Sequence, residues 1–339
     1  MKKILALLLI STMIIGLATG CGKGKETSKS GEAAKTGFAV TSSLEKSKDA
    51  SAEGDGIAQT DSLVVAVLVG KDGKILDCKI DAAQTQITFS AEGKLTTDIA
   101  TIFKSKQEKG TEYGMKGQSG IGKEWNEQAD AFADYVIGKT VDEVKGIAVS
   151  AEGVPTDADL TASVTIHVSD MIAGVEKAVA NAQDLGATSG DKLGIGVTTD
   201  MSKSKDASAE GDGLAQAYSN YAALTVNGDG KITSCFIDGS QGNVNFSTAG
   251  AITSDLTAAP QTKQELKEGY NMKGQSGIKK EWYEQANAFA KYVTGKTLDE
   301  VKGIALTEGV PSDADLAASV TVHVNAFITN IEKAVTNAK

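Results

Sequence analysis

Arginine is absent from this chain of 339 residues, so lysine is the basic residue at every position that needs one. A bound phosphate or carboxylate would therefore be held by lysine, hydroxyl groups, backbone N–H groups or a helix N-terminus, and not by the bidentate fork of a guanidinium group. The formal net charge is −10 at pH 7. This charge argues against nucleic acid as a partner and against electrostatic attraction to anionic lipid.

Histidine and cysteine are also scarce. The two histidines of the chain exclude a histidine-rich metal site. Of the three cysteines, Cys78 and Cys235 lie at equivalent places in two strand patterns. We expect them to be buried free thiols, with a disulfide between them as the alternative. No order of serine, histidine and aspartate, no metal cluster and no Walker-type loop occurs, so nothing in the sequence favours a stand-alone enzyme.

An internal repeat is the main positive feature of the sequence. Residues 37–182 align with residues 194–339 at an offset of 157, which becomes 156 after a one-residue gap near Ser150. A period of this length is too long for a solenoid, so we expect two domains of ordinary size, joined by a linker at 183–193. Two stretches are identical in the copies: Ser47–Gly56 with Ser204–Gly213, and Met115–Ile121 with Met272–Ile278.

The N-terminus predicts export and lipid anchoring. Two lysines precede the apolar run Ile4–Leu17, and small residues then lead to Cys21. Residues 1–20 are typical of a bacterial lipoprotein signal peptide with lipidation at Cys21; a plain secretory peptide or a membrane anchor are the alternatives. Residues 21–36 are polar and predict a flexible tether. We therefore expect a protein on the extracytoplasmic face of the cell membrane, with the membrane as a partner through the lipid.

The strand patterns of each copy predict a small antiparallel sheet. In the first copy the apolar runs Leu63–Val69 and Ile75–Ile80 flank an Asp-Gly turn, which predicts a hairpin. A third strand is predicted at Gln86–Ser90, and the second copy has the same pattern.

Three helices are predicted to follow in each copy. An apolar stripe runs from Trp125 to Val136, a capping box starts a short helix at Thr140, and a closing helix carries a stripe from His167 to Ala182. This stripe would leave His167 and its equivalent His323 partly buried. The predicted fold class is α+β, with two tandem copies of a sheet packed against helices.

The start of the closing helix is the strongest candidate for a binding site. Asp157–Thr165 aligns without a gap with Asp313–Thr321. A helix N-terminus offers unpaired N–H groups and a partial positive charge, so this segment is a candidate phosphate site, with Ser163 and Thr165 as hydroxyl donors. Ordinary N-capping of the helix is the alternative.

This segment resembles the motif of the bacterial FMN-binding domain, which reads Asp-x-x-Ser/Thr-Gly-Ala-Ser/Thr followed by Val-Thr. In that family the last Ser/Thr carries FMN through a phosphoester bond. The resemblance implies that Ser163 and Ser319 are the acceptors. The matching positions in the two copies are Asp157, Ala162, Ser163 and Thr165, and Asp313, Ala318, Ser319 and Thr321.

The resemblance implies a flavin carrier in electron transfer, holding FMN covalently or non-covalently. Its partner would be a redox protein or a quinone-linked oxidoreductase. The chain would then be a redox carrier or binding protein and not a stand-alone enzyme. The alternative from another class is a non-redox surface lipoprotein whose repeats bind a small molecule or a partner protein.

A glycine-rich loop before the tryptophan helix is a second candidate. Met115–Ile121 and its copy contain Lys116 and Lys273, which could face an anion, while Trp125 and Trp282 offer a stacking face for a ring. The alternative is a structured loop that a recent duplication has left unchanged.

Overall fold

The computed structural model describes residues 31–339. The predicted signal peptide, Cys21 and most of the predicted tether lie outside these residues. Among the described residues, no helix has the length and apolar character needed to cross a bilayer.

Each repeat contains a three-stranded antiparallel sheet in which neighbours along the chain are neighbours in the sheet. The α+β class and the two sheets packed against helices are confirmed. The predicted third strand is wrong as a separate element, because the strand from Ile75 continues to pair with its neighbour through its polar residues as far as Phe89. The strands are β1 Lys35–Ser43, β2 Gly56–Val69, β3 Ile75–Phe89, β4 Lys192–Asp200, β5 Gly213–Val226 and β6 Ile232–Phe246. Two short strands, β7 Leu306–Thr307 and β8 Val310–Pro311, form a small ladder in the second repeat.

Helices follow the sheet of each repeat. The helix predicted from Trp125 to Val136 is confirmed, and its capping box joins Glu124 and Glu127. The capping box at Thr140 is also confirmed. The helices of the first repeat are α1 Lys106–Lys109, α2 Trp125–Val136, α3 Val141–Lys145, α4 Ala158–Thr161 and α5 Ser169–Ala180. Those of the second are α6 Lys263–Leu266, α7 Trp282–Val293, α8 Leu298–Lys302, α9 Ala314–Ala317 and α10 Asn325–Asn337.

The closing helix begins later than predicted. It starts at Ser169 in the first repeat, after His167, which is exposed, and His323 is exposed in the same way. The predicted partial burial of the histidines is therefore wrong. The preceding segment is extended, so its even-numbered residues Val164, Ile166 and Val168 point inward while the histidine points outward.

The two sheets pack against each other, and the helices cover their outer faces. In β2, Val65 and Val67 face the helices, whereas Val64 and Ala66 face the second sheet. Burial of both faces explains why this strand is a continuous apolar run. One shared cluster lies between the sheets: Phe38, Val40, Val64, Ala66, Ala83, Leu193, Ile195, Val197, Tyr221 and Ala223.

The two identical segments Ser47–Gly56 and Ser204–Gly213 reach across to the opposite repeat. Backbone N–H of Ala50 donates to the carbonyl of Gly250, and N–H of Ala207 donates to the carbonyl of Gly93, each at 2.8 Å. The two contacts are equivalent, because the residues that they join correspond at the offset of 157. Below them Phe89 and Phe246 stack with ring centroids 4.3 Å apart. The repeats thus share a core and are not independent globules.

Cys78 and Cys235 are buried free thiols, as predicted from their strand positions. Each belongs to the core between its own sheet and its own helices, so the alternative of a disulfide between them is wrong. Burial raises the pKa of the Cys235 thiol to about 12 and also raises the pKa of the Cys78 thiol, so both stay protonated at neutral pH.

Candidate functional site

The FMN-like motif segment does not open the closing helix. Asp157 instead caps the four-residue helix α4, where its carboxylate accepts a hydrogen bond of 2.9 Å from the N–H of Asp159. The closing helix has Val168 as its N-cap. The predicted helix N-terminal site is therefore wrong in its geometry, and Asp313 caps α9 in the same way. Both aspartates therefore act as ordinary helix N-caps.

The backbone of this segment offers few donors to a phosphate. The N–H groups of Thr161, Ser163 and Val164 donate to carbonyls of the same turn, and that of Thr165 donates to Gln128. Thr161 and its equivalent Ala317 also stand where the FMN-binding motif has glycine. The segment therefore does not fit a phosphate cradle. Ser163 and Ser319 are half-buried, and Ala162 and Ala318 are exposed.

A buried glutamine ties the motif segment to the glycine-rich loop. Gln128, on α2, is fully buried. Its Oε1 accepts from the N–H of Thr165 at 2.8 Å and from the Thr165 hydroxyl at 3.2 Å, and its Nε2 donates to the Ser119 hydroxyl at 3.2 Å. Gln285 makes the same bonds to Thr321 and Ser276. The glutamine holds the two segments in a fixed relation.

Sequence reasoning missed this glutamine. It lies three residues after Trp125 on the buried face of the helix, where an apolar residue is expected, and both copies retain it. A polar residue on an otherwise apolar stripe is the signal that could have found it.

A groove of about 910 Å³ lies beside this junction in the first repeat. Hydroxyls of β1 and β2 form one wall, and Tyr113 and Trp125 form an aromatic floor. Thr165 lines the groove, so it is the one member of the predicted first-repeat set at this cavity; Asp157, Ala162 and Ser163 do not line it. The predicted stacking face of Trp125 is thus next to open space.

Lys106 places its ammonium group in this groove. Its Nζ lies 4.7 Å from the ring centroid of Tyr113 and 5.1 Å from that of Trp125. These are distances of cation–π attraction. Asp61 lines the same groove but pairs with Lys46, at 2.8 Å, and not with Lys106. Among residues 31–339 no carboxylate pairs with the Lys106 ammonium, which remains available to a ligand.

The second repeat fills the equivalent place with its own side chain. Tyr218 stands where the first repeat has Asp61, and its hydroxyl accepts a hydrogen bond of 2.7 Å from Nζ of Lys263, the equivalent of Lys106. Lys263 is 2% exposed, and its Nζ lies 4.4 to 4.8 Å from the ring centroids of Tyr218, Tyr270 and Trp282. Burial lowers the pKa of Lys263 to about 7, opposed by the nearby carboxylate of Asp238.

Two buried carboxyls lie at equivalent positions of the two sheets. Asp81 accepts hydrogen bonds from the N–H groups of Ala82 and Gln107, and Asp238 from those of Gly239 and Gln264. Burial nevertheless raises the pKa of Asp81 to about 6 and that of Asp238 to about 7. The folded protein thus holds protons that the unfolded chain releases near pH 4.

We expect these carboxyls to make the protein less stable as the pH rises from 5 to 7. Between the ordinary pKa of an aspartate and its raised folded value, the folded state binds more protons than the unfolded state. The free energy of unfolding then falls with pH, by up to about 1.4 kcal/mol per pH unit for each group. Above pH 7 the lowered pKa of Lys263 acts in the opposite direction, so the stability contributed by that lysine rises with pH.

Urea unfolding at pH 5, 6, 7 and 9 measures this profile. The double variant Asp81→Asn, Asp238→Asn should remove most of the fall between pH 5 and 7. An unchanged slope in that variant would show that neither carboxyl retains its proton in the folded state.

Comparison of the chain with protein-family models, with curated proteins and with solved structures finds no match to any of them.

Proposed function

We propose that this chain is an extracytoplasmic binding protein, anchored to the membrane through Cys21, whose first repeat binds a small molecule carrying a flat ring. The open groove over Tyr113 and Trp125 is the observation that supports this function. It combines an aromatic floor with hydroxyls and one ammonium group, the mixture of apolar surface and few polar groups that small-molecule sites have. The lipoprotein-like N-terminus supports the location.

The ligand should remain bound to the protein during purification. We expect protein isolated from its native membrane to release one small molecule per chain on denaturation, detected by mass spectrometry. Ligand added back should quench the fluorescence of Trp125, which is the sole tryptophan of the chain when Trp282 is replaced by phenylalanine. Protein that releases nothing and shows no quenching with flavins, quinones, phenols or sugars would contradict the proposal.

Flavin carriage in electron transfer is the second candidate function. The observation in its favour is that Ser163 is half-buried and stands two residues before Thr165, which lines the groove. A phosphoester on a serine needs a reachable hydroxyl and no N–H cradle, so the covalent form agrees better with the geometry than the non-covalent one. The partner would then be a membrane redox protein or a quinone-linked oxidoreductase.

Mass spectrometry of the denatured chain tests this second candidate. If flavin is attached, the wild-type mass should exceed that of the lipidated mature chain by one FMN ester per modified serine, and Ser163→Ala should abolish the addition in the first repeat. Ser319→Ala is the matched control, because the equivalent site beside it is filled by Tyr218. An unmodified wild-type chain from a flavin-replete native host would contradict covalent flavin carriage, and the non-redox function would then stand alone.

A further inference from the structure

The second repeat contains an occupied version of the groove. The phenol ring of Tyr218 lies beside Tyr270 and Trp282 around the ammonium of Lys263, and its oxygen accepts the hydrogen bond of that ammonium. This ring therefore shows which chemistry the walls of the site accommodate: an aromatic face for the cation and an acceptor oxygen for its N–H.

The first repeat has the same walls without the occupant. Lys106, Tyr113 and Trp125 match Lys263, Tyr270 and Trp282 in position and in contact, since the ammonium lies over both rings in each repeat. Aspartate replaces the tyrosine at position 61, and its short side chain is directed to Lys46. The space of a phenol ring is thus open, and Lys106 is half-buried where Lys263 is buried.

We infer that the groove of the first repeat binds an aromatic ring that carries an acceptor oxygen, such as a phenol or an aryl carbonyl compound, and that Tyr218 permanently occupies the equivalent site of the second repeat. This inference rests on the proposed small-molecule function and specifies its ligand class. The ring contacts Lys106 in place of the missing tyrosine, and its oxygen accepts the hydrogen bond of the ammonium. One chain therefore binds one ligand, although it contains two repeats.

The preference for oxygen follows from the ammonium group. Insertion of an apolar ring removes water from Lys106, and a ring without an acceptor leaves its N–H groups unpaired. A hydrogen bond to a charged group contributes about 1.5–3 kcal/mol, so an oxygen-bearing ring should bind at least about tenfold more tightly than the same ring without oxygen.

The probe pair is 4-methylphenol, which is the side chain of tyrosine, and toluene, which lacks only the oxygen. Binding to the full mature chain is measured by NMR titration. We expect one site for 4-methylphenol in the wild type, and binding to toluene that is at least about tenfold weaker. Lys106→Met should abolish this preference, because it retains an apolar chain over the rings without an N–H donor.

Exchange of the residue that differs between the repeats is the sharper test. Asp61→Tyr should close the groove and abolish binding of 4-methylphenol. Tyr218→Gly should open the second site, raise the stoichiometry to two, and regain lost stability when 4-methylphenol is added. Urea unfolding of Asp61→Tyr establishes that this variant is folded.

The outcomes separate this inference from the proposed function. Binding that Asp61→Tyr abolishes, but that shows no preference for oxygen and no response to Lys106→Met, overturns the ligand class and leaves the small-molecule site. Binding of 4-methylphenol that persists in Asp61→Tyr overturns the assignment of the site. A groove that binds neither probe, in a chain whose Tyr218→Gly variant is refilled by 4-methylphenol, also overturns the inference.

Discussion

Replacement of Gly37 by alanine is expected to lower the free energy of unfolding by about 3 kcal/mol, at the upper end of the usual cost of overpacking. A Cβ atom at this position would lie 2.1 Å from the carbonyl oxygen of Ala178 in α5 and 2.8 Å from a methyl carbon of Val67. Backbone cannot move aside as a flexible side chain can, so strand β1 and the helix would have to separate. Gly194 has the same relation to Ala334 in the second repeat, at 1.9 Å.

Urea unfolding of the full chain measures the effect, and Gly54→Ala is the matched control. A Cβ atom at Gly54 would have no atom within 4 Å, so this variant should unfold at the wild-type midpoint. The shared core also predicts one cooperative transition, with Gly37→Ala destabilising both repeats together. A transition in which the second repeat keeps its wild-type midpoint would contradict that coupling.

Replacement of Gln128 by leucine is expected to have the second large effect, about 2–3 kcal/mol. Leucine has a similar size but leaves the N–H and the hydroxyl of Thr165 without their shared acceptor, and it releases Ser119. A buried donor that loses its partner costs about 1–3 kcal/mol. The glycine-rich loop and the motif segment should then exchange their amide hydrogens faster, because the side chain that joins them is gone.

Gln285→Leu is the matched control for function. It breaks the same bonds in the second repeat, so we expect a similar loss of stability. Binding in the first-repeat groove should nevertheless fall in Gln128→Leu alone, since Thr165 lines that groove. Hydrogen exchange measured by mass spectrometry, together with a binding titration of both variants, gives the comparison. Equal loss of binding in the two variants would place the effect in global stability and not in the groove.

Local sequence patterns predicted the elements whose cause is local. The stripe from Trp125 and the capping box at Thr140 appear in the structure because helix periodicity and capping bonds involve residues three or four apart. The sequence pattern predicts too early a start for the closing helix, because His167 and Met171 have helical spacing by coincidence. The true pattern there is the alternation of Val164, Ile166 and Val168, which is typical of an extended segment.

The candidate site was only partly predictable. The sequence predicts the aromatic face of Trp125 but not the roles of Lys106 and Gln128. Lys106 contacts Trp125 in another helix, and Gln128 contacts Thr165 in a separate segment, so neither contact follows from the spacing within one element. The difference between Asp61 and Tyr218 is visible in an alignment of the two copies, but on its own it is one substitution among many. Its role follows only from the structure, in which the ammonium of Lys263 lies beside the phenol ring of Tyr218.

The sequence by itself determined the duplication, the α+β class and the helices with strong periodicity, because these depend on spacing along the chain. Tertiary structure decided that the two sheets share a core and that one repeat keeps an open groove while the other fills it. The shared core depends on contacts between the repeats, such as Phe89 with Phe246. The filled groove depends on which side chains of one repeat reach the same space, such as Tyr218 and Lys263. No periodicity of the sequence encodes the groove, because this cavity forms only when the helices and strands pack together.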